Sequence, residues 1–279
     1  EMSATSRIVM LGICFVIASI SAVSCAVLGQ DEITLIGPDK PEPVIVIGVG
    51  ATPSENYAAQ EMAAYLGTIT DRKITISDDS NLPKGRVIIA LGRNKLTESI
   101  DVSSLDCEQF ITDIQPDRLT IIGGRRDAKP GQGARDAGTL YGVYEFLDGL
   151  GVRWYRPEAW GVHVPKMATI NLNIGRTISP KPSYNVRAQL GTGMGVFRGQ
   201  TIDQRVETFI WLARNRGNVY CKTGDAARDA LLDAKVGGGE RYSWTHAYGT
   251  IVPKAEFFES NPDYFSLVKG KREPVDLCL

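Results

Sequence analysis

Apolar residues recur at helical spacing along residues 137–150, and this is the clearest pattern in the chain. The positions that fall on one helical face are Ala137, Leu140, Tyr141, Tyr144, Leu147 and Leu150. Gly149 and Gly151 can end this helix, and the β-prone run 152–155 follows directly. The pattern therefore predicts a helix that packs one face on a core and leads into a short strand.

A second helix and several strands are predicted between residues 31 and 175. Ser54 can cap a helix whose apolar positions are Ala58, Met62, Tyr65, Leu66 and Ile69. Apolar or alternating runs predict strands at 33–35, 44–49, 74–76, 87–91, 110–114, 119–122, 162–164 and 170–172. Two helices against one mixed sheet make an α/β unit, so we expect an accessory α/β domain over residues 31–175.

The hydrophobic pattern changes after Pro180-Lys181-Pro182, where predicted strands and helices begin to alternate. Strands are predicted at 184–190, 218–222 and 241–246, and helices at 203–216 and 255–259. This alternation is how a (β/α)₈ barrel begins, and a full barrel needs about 250 residues. Residues 180–279 supply less than half of that length. We therefore expect an incomplete TIM-barrel-like domain over 180–279, the N-terminal part of a longer protein.

The N-terminal segment has the layout of a secretory signal. An apolar stretch over 8–23 follows Arg7 and is too short for a comfortable membrane span, so residues 1–30 are predicted to be a signal peptide. Cys25 ends the run Ala22-Val23-Ser24-Cys25, which resembles a bacterial lipobox. Two outcomes stay open: lipid attachment at Cys25, with membrane anchoring, or plain cleavage nearby. Either outcome predicts an exported protein, periplasmic, at the cell surface or extracellular.

Composition excludes several classes of protein. The formal net charge of −1 gives no reason to expect nucleic acid as a partner. Cys14 and Cys25 belong to the export segment, and Cys107, Cys221 and Cys278 have no CxxC spacing. We therefore expect buried free thiols rather than a disulfide framework or a structural zinc site. No metal and no organic cofactor is predicted.

Few motifs point to chemistry. The run 48–53 resembles a dinucleotide fingerprint, but Pro53 stands where the third glycine belongs, so we interpret it as a tight βα turn. Trp244 and His246 lie in an aromatic run, and sugar sites often combine aromatic faces with hydrogen-bonding groups. These two residues either line a sugar site or form an ordinary packing cluster. No carboxylate pair stands at predicted strand ends, so no catalytic residue is assigned.

Several short sequence motifs resemble those of known protein families. Residues 44–165 resemble the N-terminal domain of bacterial α-glucuronidases, which is similar to the second domain of β-hexosaminidases. The words that carry this likeness are Ala58-Ala59-x-Glu61-Met62-x-x-Tyr65-Leu66, Leu140-Tyr141-Gly142-Val143-Tyr144-x-Phe146-Leu147 and Gly151-Val152-Arg153-Trp154-Tyr155. The later words 243–247, 261–267 and 269–272 resemble an uncharacterised bacterial family, in which this domain precedes a barrel-like domain of unknown function.

The resemblance implies a function and one site residue. The first barrel strand of β-hexosaminidases carries a Pro-Arg-Phe-x-x-Arg motif, whose last arginine binds sugar hydroxyls. The run Pro182-Ser183-Tyr184-Asn185-Val186-Arg187 is similar to this motif, but Ser183 replaces the first arginine. Arg187 is thus either a sugar ligand or part of an ion pair in the barrel mouth. The likeness implies an exported glycoside hydrolase with a carbohydrate substrate. A non-catalytic glycan-binding lipoprotein and a structural surface protein are the alternatives.

Overall fold

The structure is a computed structural model that describes residues 31–129, 133–187, 201–219, 225–240 and 252–277. Its strands in these ranges, β1 to β12, are Glu32–Ile36, Val44–Ile47, Thr75–Asp78, Ile88–Leu91, Phe110–Gln115, Arg118–Gly123, Arg153–Trp154, Val162–His163, Ile170–Asn173, Gly175–Ile178, Phe265–Val268 and Lys271–Leu277. Its helices there, α1 to α5, are Pro53–Thr70, Gly138–Gly149, Ile202–Arg214, Ala226–Val236 and Lys254–Phe257.

A six-stranded mixed sheet is the centre of the accessory unit, which comprises β1 to β10 with α1 and α2. The strand order is β10-β5-β6-β4-β2-β3. Strands β6, β4, β2 and β3 run parallel, and β5 runs antiparallel to both of its neighbours. The predicted mixed sheet with two helices is therefore confirmed. The sheet also takes in β10, which extends beyond the predicted domain end at residue 175.

Helix α1 is capped by Thr52 rather than by Ser54, so the predicted cap was wrong. Thr52 Oγ1 accepts from the Glu55 amide at 3.2 Å, and Glu55 Oε2 accepts from the Thr52 amide at 3.0 Å. This reciprocal pair is a capping box, and Pro53 fits the first helical position because its missing N–H would have no helical acceptor. The signal was present in the sequence, since Thr52 and Glu55 have the capping-box spacing.

The turn at 48–51 is closed by a backbone hydrogen bond and by the carboxylate of Asp79. The Ala51 amide donates to the Gly48 carbonyl at 2.9 Å. Asp79 accepts from the amides of Val49 at 3.0 Å and Lys95 at 2.9 Å. These amides lie at the carboxyl ends of β2 and β4, where α/β sheets often bind phosphate. The structure therefore agrees with a tight βα turn.

Asp79 gives a pH-dependent contribution to stability. The amides of Lys95 and Val49 hold the pKa of its carboxyl below the ordinary value. A depressed pKa contributes stability above the unfolded pKa, about 3.9, and this contribution is lost as pH falls from there through the folded pKa. We expect Asp79→Asn to destabilise the protein at pH 7, with a difference from wild type that shrinks below about pH 4. Urea unfolding at several pH values checks this, and a pH-independent difference would contradict it.

Helix α2 packs on the sheet through the predicted face. Leu140, Tyr141, Tyr144 and Leu147 are all buried. Gly142 lies where α2 crosses β6, and a Cβ at this position would lie 2.4 Å from the Ile121 side chain. The glycine therefore permits the close helix–sheet contact that a larger residue would prevent.

The residues after Pro180 form the C-terminal part. Val219 and Glu240 form a parallel bridge on either side of α4, and β11 and β12 form an antiparallel hairpin. Helix α3 ends at Arg214, two residues before the predicted end, because Arg216 is left-handed with φ 59°. Residues 184–187 lie in no strand, and the rest of that predicted strand lies outside the described residues. In the described residues, α3 and α4 are each followed by one bridged residue, Val219 and Glu240, and no closed barrel is present.

The two parts are packed against each other. The Asp136 amide donates to the Gly237 carbonyl at 2.8 Å. Gly237 follows α4 at φ 71°, and a Cβ there would lie 2.1 Å from the Asp136 carbonyl oxygen. Glycine thus lets the end of α4 approach the accessory unit backbone to backbone. No helix in the described ranges is long and apolar enough to cross a membrane.

Candidate functional site at the junction of the two parts

A buried charge cluster joins the accessory unit to the C-terminal part. It consists of Glu108, which precedes β5, and the guanidinium groups of Arg135 and Arg187. Glu108 Oε1 accepts from Arg135 Nη2 at 2.9 Å and from Asn218 Nδ2 at 3.0 Å. Its other oxygen accepts from Arg187 Nη2. One carboxylate thus pairs with two guanidinium groups that come from distant parts of the sequence.

Arg187 is fixed by several contacts. Its Nε donates to the Arg216 carbonyl and its Nη1 to the Tyr184 carbonyl, both at 2.8 Å. With the bond to Glu108, these contacts use three of the five guanidinium N–H groups. The side chain remains 24% exposed. The ion pair considered from the sequence is present, with Glu108 of the accessory unit, and a sugar-binding role for Arg187 stays a prediction.

Backbone hydrogen bonds connect Arg187 with two residues further along the chain. The Asn218 amide donates to the Arg187 carbonyl at 3.0 Å, and the Glu240 amide donates to the Asn218 carbonyl at 2.8 Å. Asn218 follows α3 and Glu240 follows α4. Val219 and Glu240 also form a parallel bridge, so the residues after the two helices lie next to each other.

A cleft of about 870 Å³ opens beside the charge cluster, and we name it the junction cleft. Its lining comprises Glu108, Phe110, Tyr141, Trp154, Tyr155, Ser179, Pro180, Lys181, Pro182, Ser183, Tyr184, Arg187, Trp211, Leu212, Asn215, Arg216 and Gly217. Tyr155 is 69% exposed and Tyr184 is 75% exposed. Trp211 is fixed by a 2.8 Å hydrogen bond from its indole N–H to the Trp154 carbonyl. The cleft therefore combines accessible aromatic faces with a rigid wall.

Basic groups dominate the charge of the junction cleft. Lys181, Arg187 and Arg216 line it together with one carboxylate, Glu108. Burial lowers the pKa of Arg216 below its ordinary value, but an arginine remains protonated at neutral pH. An accessible ring with guanidinium and ammonium donors can stack on a sugar ring and bind its hydroxyl or carboxylate groups.

A second cavity, of about 670 Å³, lies at the carboxyl edge of the sheet. It is bordered by the start of α1, by α4 and by residues 237–240. Its lining, as far as the structure describes it, contains no aromatic side chain and more carboxylates than guanidinium groups. The two cavities therefore differ in chemistry, and the aromatic junction cleft is the better candidate for a sugar.

The structure describes only one of the predicted site residues. Arg187 lies in the junction cleft, whereas Trp244, His246 and Cys25 lie outside the described residues. Glu108 and Arg216 were not predicted as site residues, because no sequence motif near either of them indicates its contacts with distant residues.

Cys107 is the predicted free thiol that the structure describes, and it is buried. Burial raises the pKa of this thiol to about 12, so it is protonated at neutral pH and a poor nucleophile. Among the described residues, no three His, Cys, Asp or Glu side chains form a group that could hold a metal ion.

The C-terminal region matches one domain family. Residues 155–279 match a domain of unknown function, DUF4838. No curated protein sequence matches the chain significantly.

Several solved glycoside hydrolases are similar in structure. A family GH115 4-O-methyl-α-glucuronidase, BtGH115A, described as specific for decorated arabinogalactans, shares 18% identity at a TM-score of 0.53, covering 86% of this chain and 35% of that one. A Streptomyces plicatus β-hexosaminidase shares 12% identity at a TM-score of 0.40, covering 69% of this chain and 31% of that one. CpGH84B shares 19% identity at a TM-score of 0.41, covering 75% and 33%.

The likeness to the GH115 structure concerns the fold. It extends over most of this chain, which spans about a third of the length of that enzyme. The mixed α/β architecture found here is therefore an architecture that a solved glycoside hydrolase also has.

Proposed function

We propose that this chain is the N-terminal part of an exported carbohydrate-active protein of the glycoside hydrolase type, similar to α-glucuronidases. The observation that carries the proposal is the junction cleft, in which the exposed rings of Tyr155 and Tyr184 stand beside the Arg187 guanidinium. Flat apolar rings with nearby charged donors suit pyranoses, which have apolar faces and many hydroxyl groups.

The C-terminal part is proposed to continue as a (β/α)₈ barrel. The support is the order of α3, Val219, α4 and Glu240, with a parallel bridge between Val219 and Glu240. Parallel segments separated by helices build such barrels. In the full-length protein a pair of carboxylates on later barrel strands would cleave the glycosidic bond, and this chain requires no organic cofactor for that reaction.

Arg187, Trp244 and His246 are proposed to contact the saccharide. The support for Arg187 is its position in the junction cleft, where its side chain is 24% exposed. A guanidinium can bind a carboxylate through two parallel hydrogen bonds, which favours a polysaccharide that bears uronic acid. Export by the segment 1–30, with lipid attachment at Cys25 or cleavage nearby, would bring the protein to such a polymer.

A non-catalytic glycan-binding surface lipoprotein is the second candidate. The same cleft favours it, because Glu108 is held between Arg135 and Arg187 and cannot act as one of a free carboxylate pair. The two candidates differ in whether later barrel strands supply a pair of carboxylates.

Assays of the full-length protein test the proposal. We expect release of sugar from aryl glycosides or from uronic-acid oligosaccharides, with activity lost when a carboxylate at a late strand end is replaced. Binding without turnover would favour the lipoprotein. Saccharide binding that survives Arg187→Ala and Trp244→Ala together would contradict the proposed contacts.

A further inference from the structure

We propose that Asn218 is a positioning residue for the junction cleft, which holds Arg187 where its guanidinium can bind a saccharide carboxylate. Asn218 does not line the cleft, so it acts through Arg187 and not by touching the ligand. This inference rests on the proposed function for the identity of the ligand. The placement of Arg187 rests on contacts within the chain alone.

The Asn218 side chain uses both of its polar groups. Asn218 is 0% exposed. Its Oδ1 accepts from the Arg187 backbone amide at 2.7 Å, and its Nδ2 donates to the Asn185 carbonyl at 2.8 Å and to Glu108 Oε1 at 3.0 Å. The backbone amide of Asn218 also donates to the Arg187 carbonyl at 3.0 Å. One buried residue therefore binds both backbone polar groups of Arg187.

The three partners of the side chain require an amide at position 218. The Arg187 N–H donates, whereas the Asn185 carbonyl and the Glu108 carboxylate accept, so the amide oxygen must face Arg187 and the amide nitrogen the other two. An aspartate of the same shape would place an acceptor against two acceptors, and an alanine would leave all three partners without this bond. Asparagine therefore matches this set of contacts.

The segment that carries Arg187 depends on such side-chain contacts. Residues 179–187 form no helix or strand, and Asn185 and Val186 are exposed. The Asn218 side chain binds this segment at two places, Asn185 and Arg187. An irregular, exposed segment has few other contacts that hold its backbone, so losing this side chain should let Arg187 move.

Asn218 also fixes the anion that pairs with Arg187. Glu108 Oε1 accepts from Asn218 and from Arg135 Nη2 at 2.9 Å, while Glu108 Oε2 pairs with Arg187 Nη2. Bonds to the first oxygen hold the carboxylate, so the second stays directed at Arg187. The guanidinium is thus held through its backbone and through its counter-ion. A binding group that is already held in place loses less entropy when the ligand binds.

A double-mutant cycle in the full-length protein tests the proposal. The probes are glucuronoxylan and the same polymer with its uronic carboxyl groups reduced to alcohols, each titrated by calorimetry. We expect Asn218→Ala to bind glucuronoxylan at least tenfold more weakly and the reduced polymer within twofold of wild type. In an Arg187→Ala background, the same change should alter the affinity for glucuronoxylan less than twofold, because Asn218 acts through Arg187.

A second buried asparagine provides the control. Asn94 is 6% exposed, and its Nδ2 donates to the Leu91 and Gly92 carbonyls at 3.2 and 3.3 Å. It lies outside the cleft lining, so Asn94→Ala should lower the Tm and leave the affinity for glucuronoxylan unchanged. Asn218→Asp keeps the side-chain shape and the acceptor for the Arg187 amide. It replaces Asn218→Ala in the cycle, with the same expected loss, if the alanine variant does not fold.

The outcomes separate this inference from the proposed function. A lower Tm with wild-type affinity for glucuronoxylan, or an equal loss with and without Arg187, overturns the positioning role. Equal losses for glucuronoxylan and the reduced polymer also overturn it, because the effect would not depend on the carboxylate. If wild type binds no glucuronoxylan, or if Arg187→Ala binds it as wild type does, the proposed contact and the positioning role fail together. Coupled losses in a protein that hydrolyses no glycoside keep the positioning role and remove the hydrolase.

Discussion

Replacing Glu108 with glutamine is expected to lower the free energy of unfolding by about 3–5 kcal/mol, because it removes the buried carboxylate that pairs with both Arg135 and Arg187. The Arg135 side chain is fully buried and the Glu108 side chain is 5% exposed. Without the carboxylate, Arg135 and Arg187 both lose their ion pair with Glu108, while the Arg135 side chain stays buried. Urea unfolding of the full-length variant, followed by tryptophan fluorescence, measures the loss.

An exposed pair provides the control for the Glu108 variant. Glu158 pairs with Arg156 at 3.2 Å, and both side chains are about half exposed. Water screens this pair, so Glu158→Gln should leave the unfolding midpoint almost unchanged. A Glu108→Gln protein as stable as the control would mean that water or another group compensates Arg135 and Arg187, and that the cluster does not join the two parts.

The accessory unit could be predicted because its signals are local. The apolar face of α2 repeats at helical spacing, and the same residues, Leu140, Tyr141, Tyr144 and Leu147, are buried on the sheet. The error at the start of α1 was also local. Ser54 and Thr52 are both good caps, but only Thr52 has glutamate three residues later, which forms the second half of the capping box.

The hairpin of β11 and β12 was not predicted, although its turn leaves a signal. Lys269 and Gly270 both have positive φ, at 50° and 81°, and they connect the two strands directly. A two-residue turn of this kind needs φ above zero at both positions, which makes a glycine between two β-prone runs informative. The proline in the second run, Pro274, obscured the strand pattern.

The candidate site could be predicted only in part because its contacts cross long stretches of sequence. Arg187 was found through a resemblance, whereas its acceptor Glu108 stands 79 residues earlier and has no motif of its own. The charge cluster forms because the fold brings Glu108, in the loop before β5, next to Arg187 in the C-terminal part. Periodicity describes which face of an element is buried, but it does not say which distant charge that face meets.

A second buried ion pair also joins the two parts, and it lies apart from the junction cleft lining. Glu61 of α1 accepts from Arg214 of α3 through both oxygens, at 2.9 and 3.1 Å. The Tyr144 hydroxyl donates to the same carboxylate at 3.1 Å. Burial is the largest single influence and disfavours the charged form of Arg214, but the hydrogen bonds and the negative charge of Glu61, with smaller contributions from Tyr144 and Tyr65, together outweigh it and raise the pKa of Arg214. Burial raises the pKa of Tyr144, which keeps its hydroxyl protonated as a donor.

Breaking the Glu61 pair from one side should cost as much as breaking the Glu108 cluster. We expect Glu61→Gln and Arg214→Met each to lower the free energy of unfolding by about 3–5 kcal/mol, since each leaves one buried charge unpaired. The double variant Glu61→Leu/Arg214→Met removes both charges and keeps an apolar contact of similar size. It should be more stable than either single variant, because no uncompensated charge remains.

A double-mutant cycle on the full-length protein measures this coupling between the accessory unit and the C-terminal part. Additive losses, with the double variant less stable than both single variants, would contradict a buried pair at this interface. Polysaccharide affinity of the same variants provides a second readout. Neither Glu61 nor Arg214 lines the junction cleft. A double variant that keeps its stability should therefore bind like wild type, whereas one that folds but binds weakly would show that the cleft depends on how α3 is held against α1.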